Sequence, residues 1–174
     1  MFKKILVATD GSAHGTTAVE VAADMAVKHD AALVIGHVLL HGEPPSAFRR
    51  MAEVEHLVGK PSVPKPDQKN ITGGLVAQIS MSEQNRISHD VMQALAGHIA
   101  DHAMGIAKNA GVENVTSEIE EGDTANRILK IAEKIDADLI VIGTRGFGPI
   151  KALLMGSTSQ KITQLANCAC LTIK

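Results

Sequence analysis

The chain is 174 residues long, 45% hydrophobic but only 2% aromatic, with no Trp or Tyr and a formal net charge of −2. This length predicts a single domain with a substantial core, packed from Val, Ile, Leu, Ala and Met. DNA and RNA are excluded as expected partners, because the charge gives no basic stripe and the composition no aromatic platform for bases.

Lys3 to Thr9 is a short apolar run of β-formers and predicts a first strand. Met1-Phe2-Lys3-Lys4-Ile5 leads straight into it, and no stretch of the chain is apolar enough to span a bilayer. Neither a signal peptide nor membrane insertion is therefore expected. Ala18, Val19, Ala22, Met25, Ala26 and His29 recur at helical spacing, and Asp30-Ala31 closes that helix. Ala32 to Leu40 is a second, almost continuously apolar strand.

Residues 42–83 interrupt the pattern. Pro44, Pro45, Pro61, Pro64 and Pro66, with Gly59, Gly73 and Gly74, break any long element and leave room for one short helix over Ala47 to Val58. An irregular insertion in the single domain is expected here. It leaves the C-terminal end of a strand, the ligand side of an α/β sheet, so a lid and an unstructured excursion are both open readings.

Beyond the insertion, Val91, Leu95, Ile99, Ala103, Ile106 and Ala110 form a long helical stripe, with Gly111 suited to a left-handed C-cap. Val112 to Ile119 predicts a third strand. Asp123 is placed to cap a helix carrying Ala125, Ile128, Leu129, Ala132 and Ile135. Asp138 to Ile142 is a fourth strand, Gln160 to Ala166 a helical stretch, and Leu171 to Lys174 the last strand. Strands alternating with helices imply an α/β fold, a doubly wound five-stranded parallel sheet of order 3-2-1-4-5 with helices on both faces. Ligands bind such sheets beyond the C-terminal strand ends where the order reverses, here between strands one and four. Asp10 leaves strand one and Gly143 leaves strand four, so both point to one crevice.

The motif that decides the reading begins at that point. Gly143-Thr144-Arg145-Gly146 is followed, after nine intervening residues, by Gly156-Ser157-Thr158-Ser159. Glycines at a strand exit let the backbone turn and approach a ligand closely. Hydroxyls and free N–H groups at a helix start suit an anion such as phosphate. The spacing is neither a P-loop, which needs Gly-Lys-Ser/Thr, nor a dinucleotide fingerprint. It resembles the universal stress protein family in its nucleotide-binding branch. Ile5 to Ser12, His37-Val38, Gly122-Asp123-Thr124-Ala125 and Asn167-Cys168-Ala169-Cys170 extend that resemblance over residues 1–41 and 84–174.

The resemblance implies a set of nucleotide-binding residues. Asp10 would accept hydrogen bonds from ribose hydroxyls, although with Gly11 and Ser12 it also makes an ordinary turn. Ala8, Thr9 and Val38 would frame the adenine through backbone groups and apolar contact, and Ile142 would belong to the same cofactor-binding set. Gly143, Arg145, Gly146, Gly156, Ser157, Thr158 and Ser159 would surround ribose and phosphates. Arg145 reads equally as an exposed charge, and the serines equally as helix caps, since capping and phosphate binding use the same donors. Lys151 points to solvent on this reading.

Other candidates are weaker. His98 and His102 lie one turn apart with Asp101 nearby, but no third strong ligand is placed by the sequence, and structural histidines are the better account. Cys168 and Cys170, one residue apart, cannot staple the fold; they read as small hydrophobes of a cytoplasmic protein rather than a redox pair.

The chain thus reads as a cytoplasmic regulatory protein that binds ATP or AMP, a homodimer through its final strand Ala169 to Lys174, acting on a partner the sequence does not name. Asp10 and the phosphates make Mg²⁺ a further candidate. No nucleophile, base and orienter group is visible, so no catalytic residue is assigned. Three alternatives stay open: a slow Mg²⁺-dependent ATP hydrolase assisted by Arg145, a stress protein that binds no nucleotide and acts through surfaces, and a flavin or electron-transfer domain.

Overall fold

Near-continuous apolar runs fold here into strands covered on both faces. In the computed structural model the described residues are 2–39, 73–146 and 155–174, without the side chains of 73–88 and of residue 90. Strands β1 (Lys4–Ala8), β2 (Ala32–Leu39), β3 (Val115–Glu121), β4 (Leu139–Gly143) and β5 (Ala169–Ile173) form one parallel sheet of order β3-β2-β1-β4-β5. This is the doubly wound order expected from the sequence.

Alternation along each strand divides the core in two. Ile5, Val7, Leu33, Ile35, Leu139 and Val141 meet α1 (Ala13–His29) and the small residues Ala103 and Ala107 of α2 (Gly73–Asn109). Leu6, Ala8, Val34, Val38, Ile140 and Ile142 face the other way, onto α3 (Thr124–Ile135) and Ile162 of α4 (Ser157–Leu165). Small residues on the helices let them lie close to branched strand side chains, which replaces the aromatic bulk this composition lacks.

Helix ends explain where the elements stop. Ser12 caps α1 by accepting from Gly15 N–H at 3.2 Å, and Asp123 caps α3 by accepting from Asn126 N–H at 3.0 Å. Helices α1 and α3 both finish on an aspartate in the left-handed region, Asp30 and Asp136, each followed by an alanine whose N–H returns to the preceding turn. Gly111, at φ +96°, does the same after α2.

Four sequence-based element starts shift. Helix α2 starts at Gly73, so residues 73–83 are helical rather than irregular. Strand β3 starts at Val115 rather than Val112, because Val112 N–H donates to Ala107 O and its side chain completes the helix cap. Helix α4 begins at Ser157 rather than Gln160, and β5 at Ala169 rather than Leu171. The lid reading, the short helix over Ala47 to Val58, and Lys151 lie outside the described residues. The sheet and its helices belong to one compact unit, Met1–Glu43 with Ala96–Lys174; the first part of α2 belongs to a second, Pro44–Leu95.

Asp138 pins the N-terminal ends of β1 and β4 together. A single carboxylate oxygen accepts from Lys3 N–H at 2.6 Å and Lys4 N–H at 2.7 Å, and those bonds, Lys4 first, hold the carboxyl below its ordinary value of 3.8. A depressed carboxyl pKa adds stability that is complete above the unfolded value and fades as pH falls through the folded one. Asp138→Ala should therefore melt below the wild type at neutral pH, with the gap closing below about pH 3.8. A gap that persists undiminished well below that pH would show that these bonds add nothing through charge.

Candidate functional site

The topology brings the sequence-selected residues to one end of the sheet. Ala8 stands level with Gly36 on one side and Ile142 on the other, so Thr9, His37 and Gly143 form the next layer at the C-terminal strand ends. Ala8, Val38 and Ile142 are buried on the α3 face of the sheet. Thr9 is 8% exposed, and its N–H donates to Gly36 O at 3.0 Å.

Asp10 follows in a tight turn. Its Oδ1 accepts from Ser12 N–H at 2.9 Å, while Thr9 Oγ1 accepts from Gly11 N–H at 3.2 Å. Gly11 has φ +80°, a backbone state that favours glycine. The turn expected from Asp10, Gly11 and Ser12 thus fixes one carboxylate oxygen, and the other faces Gly146. A Cβ at Gly146 would overlap Asp10 Oδ2, so a side chain there would force the carboxylate or the loop after β4 to shift.

The second half of the motif is held by Thr144. Its N–H donates to Ile173 O at 2.6 Å, and its carbonyl accepts from Gly156 N–H at 2.7 Å and Ser159 Oγ at 3.2 Å. Helix α4 is thereby seated on the exit of β4. Gly156 is its N-cap and offers no side-chain acceptor, so the first-turn amides lack the usual capping partner. Ser157 and Arg145 are exposed and Thr158 half-buried. Ser159 is 2% exposed, and its hydroxyl turns back to the Thr144 and Gly156 carbonyls.

Gly143 has a role the sequence did not suggest. A Cβ there would lie 3.0 Å from the carbonyl carbon, oxygen and Cβ of His14, so the missing side chain makes room for helix α1. Two further residues escaped the motif. Gly15 sits where a Cβ would come within 2.7 Å of Thr9 Oγ1 and 2.9 Å of Asp10 Oδ1. His37, the one polar side chain of β2, is 2% exposed; its Nδ1–H donates to Thr9 O at 2.8 Å, and its Nε2 has no partner among the described residues. A histidine inside an apolar strand and a glycine in a first helical turn were the available signals.

The weaker candidates keep modest roles. Among the described residues no three His, Cys, Asp or Glu side chains converge as a metal site. Burial pushes the Cys168 and Cys170 thiols up, so neither forms a ready thiolate, and Cys170 Sγ lies 3.9 Å from the Cys168 carbonyl. No helix of the described residues is long and apolar enough to cross a membrane.

Comparison with known proteins decides the family. The chain matches the universal stress protein family over residues 1–174, including the stretch 42–83 that the motifs did not reach. It belongs to that family. A universal stress protein of Thermus aquaticus is 31% identical over 174 residues, with 100% of both chains covered. The protein YxiE of Bacillus subtilis is 28% identical, again with 100% of both chains covered. Among solved structures, UspA of Lactobacillus plantarum superposes with a TM-score of 0.65 at 22% identity, covering 99% of this chain and 97% of that one. A universal stress protein in complex with cAMP gives 0.61 at 20% identity, covering 99% and 97%. One from Archaeoglobus fulgidus in complex with dAMP gives 0.57 at 17%, covering 99% and 98%. At these identities the structures establish the shared fold.

The electrostatics of the crevice give a pH signature. Burial holds the His37 imidazole below its ordinary value of 6.5, against smaller opposing effects of the Thr9 bond and the Asp10 charge. As pH falls below 6.5 the unfolded chain takes a proton that the folded one refuses, so stability declines on the acid side of that value. Urea midpoints between about pH 7.5 and about pH 5.5 should fall in the wild type and fall less in His37→Asn. Equal slopes would show that the imidazole titrates as an exposed one does.

Proposed function

We propose that this chain is an adenine-nucleotide-binding regulatory protein that takes ATP or AMP in the crevice between β1 and β4. The observation that carries the reading is the convergence of two glycine-framed approaches on Asp10. Gly146 abuts the Oδ2 side of its carboxylate, and Gly156 brings a helix start without a side-chain cap to the exit of β4. A carboxylate beside a main-chain loop suits ribose hydroxyls, and unpaired amides at a helix start suit phosphate. Within the motif, the phosphate role falls to the first-turn amides and to the hydroxyls of Ser157 and Thr158, with Arg145 free in solvent to cover the anion. Mg²⁺ shared between Asp10 and the phosphates belongs to the same reading. The cAMP and dAMP held by two structural neighbours support an adenine nucleotide here.

Mass spectrometry of nucleotide released from the denatured protein should find an adenine nucleotide. In calorimetry, Asp10→Ala should weaken ATP binding by about 1.5–3 kcal/mol, roughly one to two decades. Unchanged affinity in a well-folded variant would remove Asp10 from the site.

We also infer a homodimer formed through β5. Edge strand β3 carries Glu118, Glu120 and Glu121, with Lys134 and Arg127 paired to the first two, and charge of that kind discourages strand addition. Edge strand β5 reads Ala-Cys-Leu-Thr-Ile and stays half-exposed from Cys170 to Ile173. Antiparallel pairing with its twin about a two-fold axis would satisfy both edges. Light scattering at micromolar concentration should return the mass of two chains, and deletion of residues 171–174 the mass of one. A wild-type mass of one chain would overturn the dimer.

A further inference from the structure

Away from the glycine-serine motif, one turn of α2 carries a pair of side chains that nucleotide binding does not use. The sequence favours structural histidines at His98 and His102, yet both are exposed, as is Asp101 between them. The opposite side of the same turn is pinned. Leu95, Ala96, Ile99, Ala100 and Ala103 are each at most 4% exposed, and the Ile99 side chain lies 3.1 Å from where a Cβ on Gly11 would stand. The two imidazoles therefore spring from a turn of helix held fast against the turn after β1.

Residues four apart on a helix stand one above the other, with Cβ atoms about 5–6 Å apart. That gap lets two imidazoles converge on one cation at about 2.0–2.1 Å from each nitrogen, the spacing by which a helix supplies two zinc ligands. The neighbouring positions leave room for a hydrated ion. Ala94 precedes the pair by one turn and Gly105 follows it, and a Cβ built on Gly105 would meet nothing within 4 Å. Asp101, three residues on from His98, adds a carboxylate to the same side and favours a cation there. Histidine is a weaker helix former than the Lys, Glu or Gln that a solvated face favours, so two on one ridge are better explained by what imidazole alone supplies.

We propose that His98 and His102 form a surface clamp for a divalent transition cation of the zinc or copper class. Among the described residues no third side chain completes the set, so water would fill the remaining positions. Imidazole suits Zn²⁺, Cu²⁺ and Ni²⁺, whereas Mg²⁺ takes oxygen ligands. The clamp is thus distinct from any Mg²⁺ carried by phosphates, and it stands whether or not the crevice takes a nucleotide.

The test titrates the nucleotide-free full chain with Zn²⁺ by calorimetry, in the presence of excess Mg²⁺. The wild type should bind, and Zn²⁺ should raise its melting temperature, since a ligand held by the folded state stabilises it. His98→Asn and His102→Asn each leave one ligand. Each should weaken Zn²⁺ binding by more than about tenfold, the least that follows removal of even an outer partner of a metal site. Both positions are exposed, so without metal the variants should melt as the wild type does. His89→Asn, which removes another exposed histidine of the same helix, should bind Zn²⁺ as the wild type does. With Cu²⁺, electron paramagnetic resonance should show two nitrogen ligands in the wild type and one in either single variant. A wild type that takes up no Zn²⁺, undiminished affinity in His98→Asn or His102→Asn, or an equal loss in His89→Asn would overturn the clamp.

Discussion

The missing side chain at Gly143 is the constraint on which the ligand end of this fold depends. Helix α1 starts only a few residues after β1 ends, so its first turn must come down over the neighbouring strand. A Cβ on Gly143 would stand 3.0 Å from the main chain of His14, a tighter contact than most side chains make, and the helix backbone would have to give way. With that space open, Ser12 can cap the helix and Asp10 can fold its carboxylate back onto Ser12 N–H. The Asp10 turn, its distance from Gly146 and the mouth of the crevice all follow from one close approach. A parallel sheet offers many strand ends; the proposed site is the one where a helix lies tightly beside the switch point.

Much of this was legible from local pattern. Strands β1, β2 and β4 announced themselves as apolar runs, since strands buried on both faces need no polar residues. The caps at Asp123 and Gly111 were readable because the residue types that stabilise helix ends are few. Val112 shows where such reading stops. As a β-branched residue in an apolar stretch it looks like the start of β3, yet its N–H finishes the cap of α2. A hydrogen bond back to Ala107 decides its fate, and no periodicity reveals that.

At the site the same limit appears in sharper form. Motif spacing named Gly143, Gly146, Gly156 and Ser159 as one ligand-facing set. In three dimensions they separate: Gly143 serves helix packing, Gly146 the contact with Asp10, and Gly156 the approach to Thr144. Ser159 anchors α4 by donating to main-chain carbonyls. A linear motif records that a residue type is required, and several physical requirements leave the same letter. His37 entered the sequence reading only within the His37-Val38 resemblance and without a role of its own, because spacing does not show that its ring donates to the Thr9 carbonyl.

The two edges of the sheet show how charge placement separates faces that the fold alone leaves equivalent. Both β3 and β5 end the ladder with unpaired backbone groups, yet only β3 carries carboxylates tied to cations of α3. Those pairs are exposed and add little to stability. Their consequence is specificity: an incoming strand at β3 would have to strip water from a row of glutamates, whereas at β5 it would meet Leu171, Thr172 and Ile173. The N-terminal ends of β1 and β4 are fastened from within by Asp138, and Thr144 N–H fastens the far end of β4 to Ile173 O. Strand β5 is thus bonded to its one neighbour at the level of the crevice, so whatever binds its free edge is mechanically connected to the loop that carries Gly146. Edge pairing and ligand binding would then share Thr144, one buried residue whose N–H answers to β5 and whose carbonyl answers to α4.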